Sequence, residues 1–391
     1  MRYVYAILLA MIIALGMAIP SITKVVAEKP LIVVIADGAL EPDDQLKYMM
    51  GNITEVEWKL YMDSDEMTFD DIKDAVMIIY VQVDLDKNIS DKALEVIKKW
   101  FDQGGKTIWV TGDSDYKGGD FKRIPNANKI LEALGSHLRN DHTEAVDRES
   151  NCGKSYRVAA IIDPDPELSF LKVEKPVLFH GPGVVAVVTE EGKWVPFYGK
   201  GEKPLPNLYR IARTSDKGAI SEFVPPLPKA YEVGQEGSFV LMAAEYFPDK
   251  DNMVILSVEA PFDHYRGMWI DEYHDVPLDG TLFVKKIVLW GARLLGPVLI
   301  KPITIAVEKT VTMVKTSTVY KTVTKAEIVE KTIHHTKTVE KTRTEIVTKS
   351  IPYTVTEYTT ITKEVIPAYM YAVVVLLIIV AIATPFIVKK K

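Results

Sequence analysis

Three uninterrupted apolar runs constrain the fold of this chain most. Residues 31–37 (LIVVIAD), 76–83 (VMIIYVQV) and 107–110 (TIWV) are apolar on both faces of an extended backbone, and each stops in a polar turn. Such strands are buried on both sides, as in a parallel sheet covered by helices. The intervening segments supply the covers. Helices are predicted over 41–50 with Pro42 in the first turn, over 69–74, over 91–103 with Ser90 as cap, and over 126–134. A further strand is predicted over 56–61. From Tyr156 the pattern turns β-rich, through RVAAII, LSFLKV, PVLFH, GVVAVV, WVPFY, LYRIA, FVLMAA and MVILSV, and an amphipathic helix over 283–295 closes it. The expectation is one α/β domain over 28–300, with a smaller β-rich excursion around 185–235.

The flanks of that domain differ from it. The 391-residue chain has 47 basic and 53 acidic side chains, a net of −6, but residues 28–300 alone hold 31 basic and 46 acidic groups, a net of −15. So acidic a body repels phosphate backbones, which argues against nucleic acid as a partner. At the start, Arg2, an apolar run over 4–19 and small residues up to Ala27 read as a secretory signal over 1–27, cut after Ala27. At the end, residues 368–388 are uncharged; at about 1.5 Å per residue they span the roughly 30 Å membrane core. Lys389, Lys390 and Lys391 mark the cytoplasmic side, and Tyr369 and Tyr371 the outer interface. Residues 367–391 are therefore expected to be a single-pass transmembrane anchor, with the body outside the cell.

Between body and anchor, residues 303–366 hold 18 threonines, 17 of them at even positions. Period two with β-branched residues is the pattern of an extended β chain, so 301–366 is predicted to be a Thr/Val/Lys-rich β stalk. Fully extended at about 3.3 Å per residue, it would lift the body on the order of 200 Å. It could associate with copies of itself or carry O-linked sugars. Asn52-Ile53-Thr54 and Asn88-Ile89-Ser90 fit the N-glycosylation pattern, which makes Asn52 and Asn88 candidate acceptors. Four glutamines beside abundant Lys and Glu suit a thermophile, and the whole arrangement suits an archaeal cell-envelope protein.

The segments ISDKALEVIKKWFDQGGKTIWVTGDS, NANKILEALGS, KPVLFHGPG and FVKKIVLWGARLL, in that order, resemble the class I glutamine amidotransferase-like superfamily. The likeness is nearest to its non-catalytic branch, found in gliding-motility and intraflagellar-transport proteins. It covers residues 30–190 and 235–297. The resemblance implies a flavodoxin-like sheet whose loops at the strand C-terminal ends form a cleft, where such folds bind ligands.

Catalytic members of that superfamily carry a cysteine on a sharp strand-to-helix turn. Here the corresponding turn reads Thr111-Gly112-Asp113-Ser114-Asp115, and the chain's one cysteine, Cys152, lies in a polar loop. One cysteine also rules out an intramolecular disulfide and a Cys-based zinc cluster. Without a thiolate, glutamine hydrolysis by that route is excluded. Ser114 does not stand in a G-x-S-x-G elbow and reads as a turn serine.

Three polar groups remain as cleft candidates. Asp37, with Glu41, Asp43 and Asp44, follows the first strand, while Asp113, Asp115 and Asp120 follow a later one. Together they could offer oxygen ligands to a hard cation, although turn and cap roles explain most of them. Asp263 and His264 open a second charged stretch that runs through Asp271-Glu272-Tyr273-His274-Asp275. His180 ends a strand before Gly181-Pro182-Gly183. None meets a metal-binding spacing, so no metal and no cofactor is assigned. The first expectation for function is a non-catalytic surface module that binds an envelope partner. Alternatives are a tethered solute-binding component of a transporter, needing a pocket of about 300 Å³ or more between two lobes, and a metal-dependent hydrolase using Asp37 and Asp113.

Overall fold

The computed structural model describes residues 28–116, 119–263, 265–296, 306–318 and 334–346. The expected signal, His264 and the expected membrane anchor lie outside the described residues. Among the described residues no helix is long and apolar enough to cross a membrane.

In chain order the strands of the body are β1 (Leu31–Asp37), β2 (Glu57–Tyr61), β3 (Met77–Gln82), β4 (Thr107–Thr111), β5 (Leu138–Asp141), β6 (Glu144–Asp147), β7 (Arg157–Ile162), β8 (Val177–His180), β9 (Val184–Val188), β10 (Trp194–Pro196), β11 (Leu208–Arg213), β12 (Gly218–Ser221), β13 (Glu236–Gly237), β14 (Val240–Phe247), β15 (Asn252–Ser257), β16 (Glu272–Tyr273) and β17 (Val276–Pro277). The helices are α1 (Asp44–Asn52), α2 (Phe69–Ile72), α3 (Asp91–Phe101), α4 (Ile124–Ala133) and α5 (Gly280–Gly291).

Nine strands form one sheet in the order β2-β1-β3-β4-β15-β14-β11-β7-β8. The first five run parallel, as the buried apolar runs require, and the last four continue the sheet antiparallel. The 2-1-3-4 order with a fifth parallel strand beside β4 is the flavodoxin-like arrangement. The β-rich second half is thus largely an extension of the same sheet. Two three-stranded sheets, β10-β9-β5 and β13-β12-β6, and the β16-β17 pair complete the body's strands.

Local chemistry explains the elements. Ser90 Oγ accepts the Ala93 amide at the start of α3, and the helix buries Ala93, Leu94, Ile97, Trp100 and Phe101. Trp100 is fully buried and its ring nitrogen donates to the Ala75 carbonyl at 2.8 Å, so it both packs and ties α3 to the sheet. Truncating such a side chain costs about 3–5 kcal/mol. The helix ends at Phe101 with Asp102 as its cap, and Gly104 follows, whose φ of +81° disfavours any side chain and whose Cβ would come 2.9 Å from the Lys250 carbonyl oxygen.

Two predicted elements shift. Helix α1 begins at Asp44 because the Asp43 carboxylate accepts the Leu46 amide at 2.7 Å, which leaves Pro42 outside it. The segment LSFLKV is not a strand but most of a 3₁₀ helix, Pro166–Leu171. Pro166 starts it, and Leu168 and Leu171 are both buried three residues apart, the spacing that a 3₁₀ turn stacks on one face.

The chain divides into two units, up to Lys301 and from Pro302. In the second, β18 (Ala306–Thr318) and β19 (His334–Ile346) pair antiparallel, from Ala306 opposite Ile346 to Thr318 opposite His334. These two stretches are extended, as period two predicts. The two pair with each other. Even positions face even positions throughout, which places Thr310 opposite Thr342 and Thr316 opposite Thr336.

Candidate functional site

The C-terminal ends of the parallel strands carry the body's densest group of buried charges. At the β4 end the chain turns through Gly112, Asp113 and Ser114. The Asp113 amide donates to Asn140 Oδ1 at 2.8 Å, and Gly112 is required there because a Cβ would lie 2.0 Å from that oxygen. Asp113 accepts the Ser114 amide and Arg123 Nη1, both at 2.8 Å. Arg123 also donates to the Gln82 and Val83 carbonyls at the β3 end and lies 4.0 Å from Asp263. Arg123 therefore joins two groups that the sequence places 150 residues apart. Burial still outweighs the guanidinium and raises the Asp113 pKa.

Ser114 is a buried turn residue. Its Oγ accepts the Tyr116 amide at 3.3 Å, and among the described residues no imidazole or carboxylate hydrogen-bonds it. An activated nucleophile needs such a base. Cys152 is no better placed. It is fully buried with Ala159, Leu178 and Leu278, and burial pushes its thiol up, away from the reactive thiolate.

Asp37 belongs to a separate, closed arrangement. It is fully buried and accepts the Ser64 amide at 2.9 Å, Ser64 Oγ at 3.0 Å and Tyr80 OH at 3.1 Å, with Lys87 Nζ at 2.9 Å. Burial and the Asp37 charge both raise the Tyr80 phenol well above its ordinary range. Asp37 ends β1 and Asp113 follows β4, with β3 between them, so they stand two strand spacings apart, about 10 Å. Each has its own cation, Lys87 for Asp37 and Arg123 for Asp113. Asp43 is the α1 cap, and Asp44 is exposed and paired with Lys47. Among the described residues no three His, Cys, Asp or Glu side chains gather as a metal site.

Beside Asp113 lie three acids that the predicted site does not contain or does not emphasise. Asp115 is fully buried; one oxygen accepts the Phe223 amide at 2.7 Å and the Val224 amide at 3.3 Å, while Oδ1 has no hydrogen-bond partner. Glu144, 3% exposed, likewise has an unpartnered Oε2. Burial, then the charges of Asp115 and Asp113, lift the Glu144 pKa to about 8. Glu259 accepts the His180 amide at 2.7 Å and the Ala260 amide at 2.8 Å, and burial pushes its carboxyl up.

His180 is stacked 4.6 Å from Tyr265, with Tyr156 and Tyr273 at 5.5 and 5.9 Å. Arg157 lies over the Tyr156 and Tyr273 rings, so this aromatic group already holds a cation. Burial lowers the His180 pKa, and the charges of Arg157, His274 and Arg266 add to that. Gly181 and Gly183 let the following turn close on the β4 end: a Cβ on Gly183 would lie 2.3 Å from the Asp113 carbonyl oxygen. Asp263 and Tyr265 both take positive φ, +58° and +68°, which holds Tyr265 out to solvent at 81% exposure.

Several apolar side chains are exposed on the loops that follow the parallel strands and on the 222–228 loop held by Asp115: Leu40 after β1, Leu85 after β3, Tyr116 and Phe121 after β4, Tyr265 after β15, and Phe223 and Leu227. Two open hollows of about 490 and 400 Å³ lie elsewhere, at Arg148, Glu149, Lys217 and Glu236, and at Ser150, Arg213 and Asp216. Neither includes a residue at the C-terminal ends of the parallel strands. Asn52 and Asn88 are both exposed, each beside a buried isoleucine.

The chain matches no protein-family model and no curated protein. Two solved structures are similar to it. The domain described as "mmIFT52 N-terminal domain" is 12% identical over 67% of this chain and 96% of that one, with a TM-score of 0.44. A protein described as ThuA-like, from Bacteroides uniformis ATCC 8492, is 11% identical over 66% of this chain and 91% of its own, with a TM-score of 0.34.

Proposed function

We propose that this chain is a non-catalytic binding module of the cell surface, held by a C-terminal membrane anchor on a Thr-rich stalk, with the strand-end edge as its binding face. One observation carries the reading. Around the β4 turn, where the superfamily it resembles keeps its nucleophile, the side chains build a surface: Tyr116 and Phe223 are exposed and stacked on each other, and the buried Asp115 carboxylate accepts the Phe223 amide. Exposed apolar groups gathered on one edge mark an interaction site. Ser114 and Cys152, the residues that would carry acyl transfer, are buried without an activating partner.

A transporter's solute-binding component remains the weaker reading, because the body is one unit and its two open hollows lie away from the strand ends. The test compares the full chain with its Ser114→Ala and Cys152→Ala variants for hydrolysis of glutamine and of activated esters. The reading expects no turnover that depends on either residue. Turnover abolished by Ser114→Ala would overturn it.

A further inference from the structure

We infer that the loop from Glu222 to Pro228, together with Tyr116, is the docking element of this edge, and that its partner is a cationic, apolar polypeptide segment. The inference rests on the binding-face reading above and adds the element and the chemistry. The loop reads EFVPPLP, and Phe223, Pro225, Pro226 and Leu227 are all exposed. Phe223 and Tyr116, at 50% and 49% exposure, stack edge to face with centroids 5.3 Å apart.

The loop is fixed from beneath at both ends. The Asp115 carboxylate accepts the Phe223 and Val224 amides. The fully buried Asp141 carboxylate accepts the Lys229 amide at 2.9 Å and the Ala230 amide at 2.8 Å. Two buried aspartates thus hold one exposed apolar loop, and charge-assisted bonds of this kind are the stronger class. A face held in its final shape loses little conformational freedom on binding, and exposed aromatics on it are the side chains that dominate interface energies.

Charge selects the partner. Asp115 lies below the loop with one buried unpartnered oxygen, and Glu222, on the loop itself, adds a second carboxylate close enough to raise the Asp115 pKa. The neighbouring cation Lys229 is already engaged over the Trp194 ring at 4.7 Å. A low-dielectric acidic floor under an apolar rim attracts positive groups. A second copy of this body, itself −15 over residues 28–300, would bring like charges together and is disfavoured as the occupant.

The experiment pans a phage library of random dodecamer peptides on the immobilised full chain and then measures the winners by fluorescence anisotropy. Enriched peptides should combine Lys or Arg with aromatic or aliphatic residues. Their affinity should fall about tenfold or more on Phe223→Ala and on Leu227→Ala, with melting temperatures unchanged. Raising NaCl from about 50 mM to about 500 mM should weaken them further, as screening demands. Winners without a basic excess, or winners indifferent to both substitutions, overturn this inference while leaving a binding face elsewhere on the edge. No enrichment above bare matrix overturns it too. Failure of the underlying reading is seen separately, as turnover that depends on Ser114.

Discussion

Glu144 offers the sharpest quantitative check on the acidic floor. It is 3% exposed, one of its oxygens has no partner, and its pKa is lifted from 4.5 to about 8 by burial and by Asp115 and Asp113. The folded chain therefore keeps a proton that the unfolded chain releases once pH passes 4.5. Stability contributed by that proton is present below the unfolded value, declines as pH rises from 4.5 to about 8, and is lost above. At roughly 1.4 kcal/mol per pKa unit the ceiling on the loss is about 5 kcal/mol, and relaxation and water entry reduce it to about 2 kcal/mol. Glu144→Gln keeps the shape and has no proton to lose. The variant should match the wild type near pH 4.5 and exceed it by about 2 kcal/mol at pH 8.5. Guanidinium chloride unfolding of the full chain, followed by fluorescence of the fully buried Trp100 and Trp109, measures both curves. A gap between the two proteins that stays constant from pH 5 to pH 9 would refute the argument that Glu144 sits uncompensated among acids.

Other positions give simpler outcomes. Asp37→Ala leaves the buried Ser64 amide and Tyr80 hydroxyl without their acceptor, while Lys87 keeps Asp63, and should cost about 1–3 kcal/mol by chemical denaturation, while leaving peptide binding at the edge unchanged. Cys152 should react with a maleimide at neutral pH only as fast as the protein unfolds, so labelling should accelerate sharply on adding denaturant; rapid labelling of the native protein would contradict its placement. Gly183→Ala puts a Cβ 2.3 Å from the Asp113 carbonyl oxygen and should lower the melting temperature by several degrees. Asp115→Ala should release the Phe223 and Val224 amides to rapid hydrogen exchange, readable by mass spectrometry of the peptide that contains them.

The parallel half of the sheet was legible because its signals are local and redundant. The runs at 31–37, 76–83 and 107–110 are apolar on both faces, and Ser90 before an amphipathic stretch fixes where α3 starts. LSFLKV misled because a short apolar run with leucines three apart suits a 3₁₀ turn as well as a strand, and Pro166 decides between them. The site was harder. Asp113, His180 and Asp263 do meet at one edge, yet the residue that joins the first and last is Arg123, in an unremarkable stretch whose role depends on where the β3 carbonyls fall. Asp37 looked equivalent to Asp113 in sequence, since both follow buried strands. Only the fold shows that Ser64, Tyr80 and Lys87 converge on it from three other segments. Glu259 did carry a signal, since a lone acid against an apolar strand, as in SVEAP, is costly unless something in the fold uses it, whereas Glu144 is hidden between Asp141 and Asp147.

The binding-module reading requires that the strand-end edge meet a partner. A photo-cross-linking amino acid placed at Phe223, at Tyr116 and, as a control, at Leu294 tests this in the cells that make the protein; Leu294 is exposed and follows Gly291, which packs on Met77 and Thr107 where β3 and β4 begin, at the opposite end of the strands. Discrete adducts of higher mass at positions 223 and 116, absent at 294, are the predicted result. Adducts at 294 alone, or equal yields at all three positions, would contradict it.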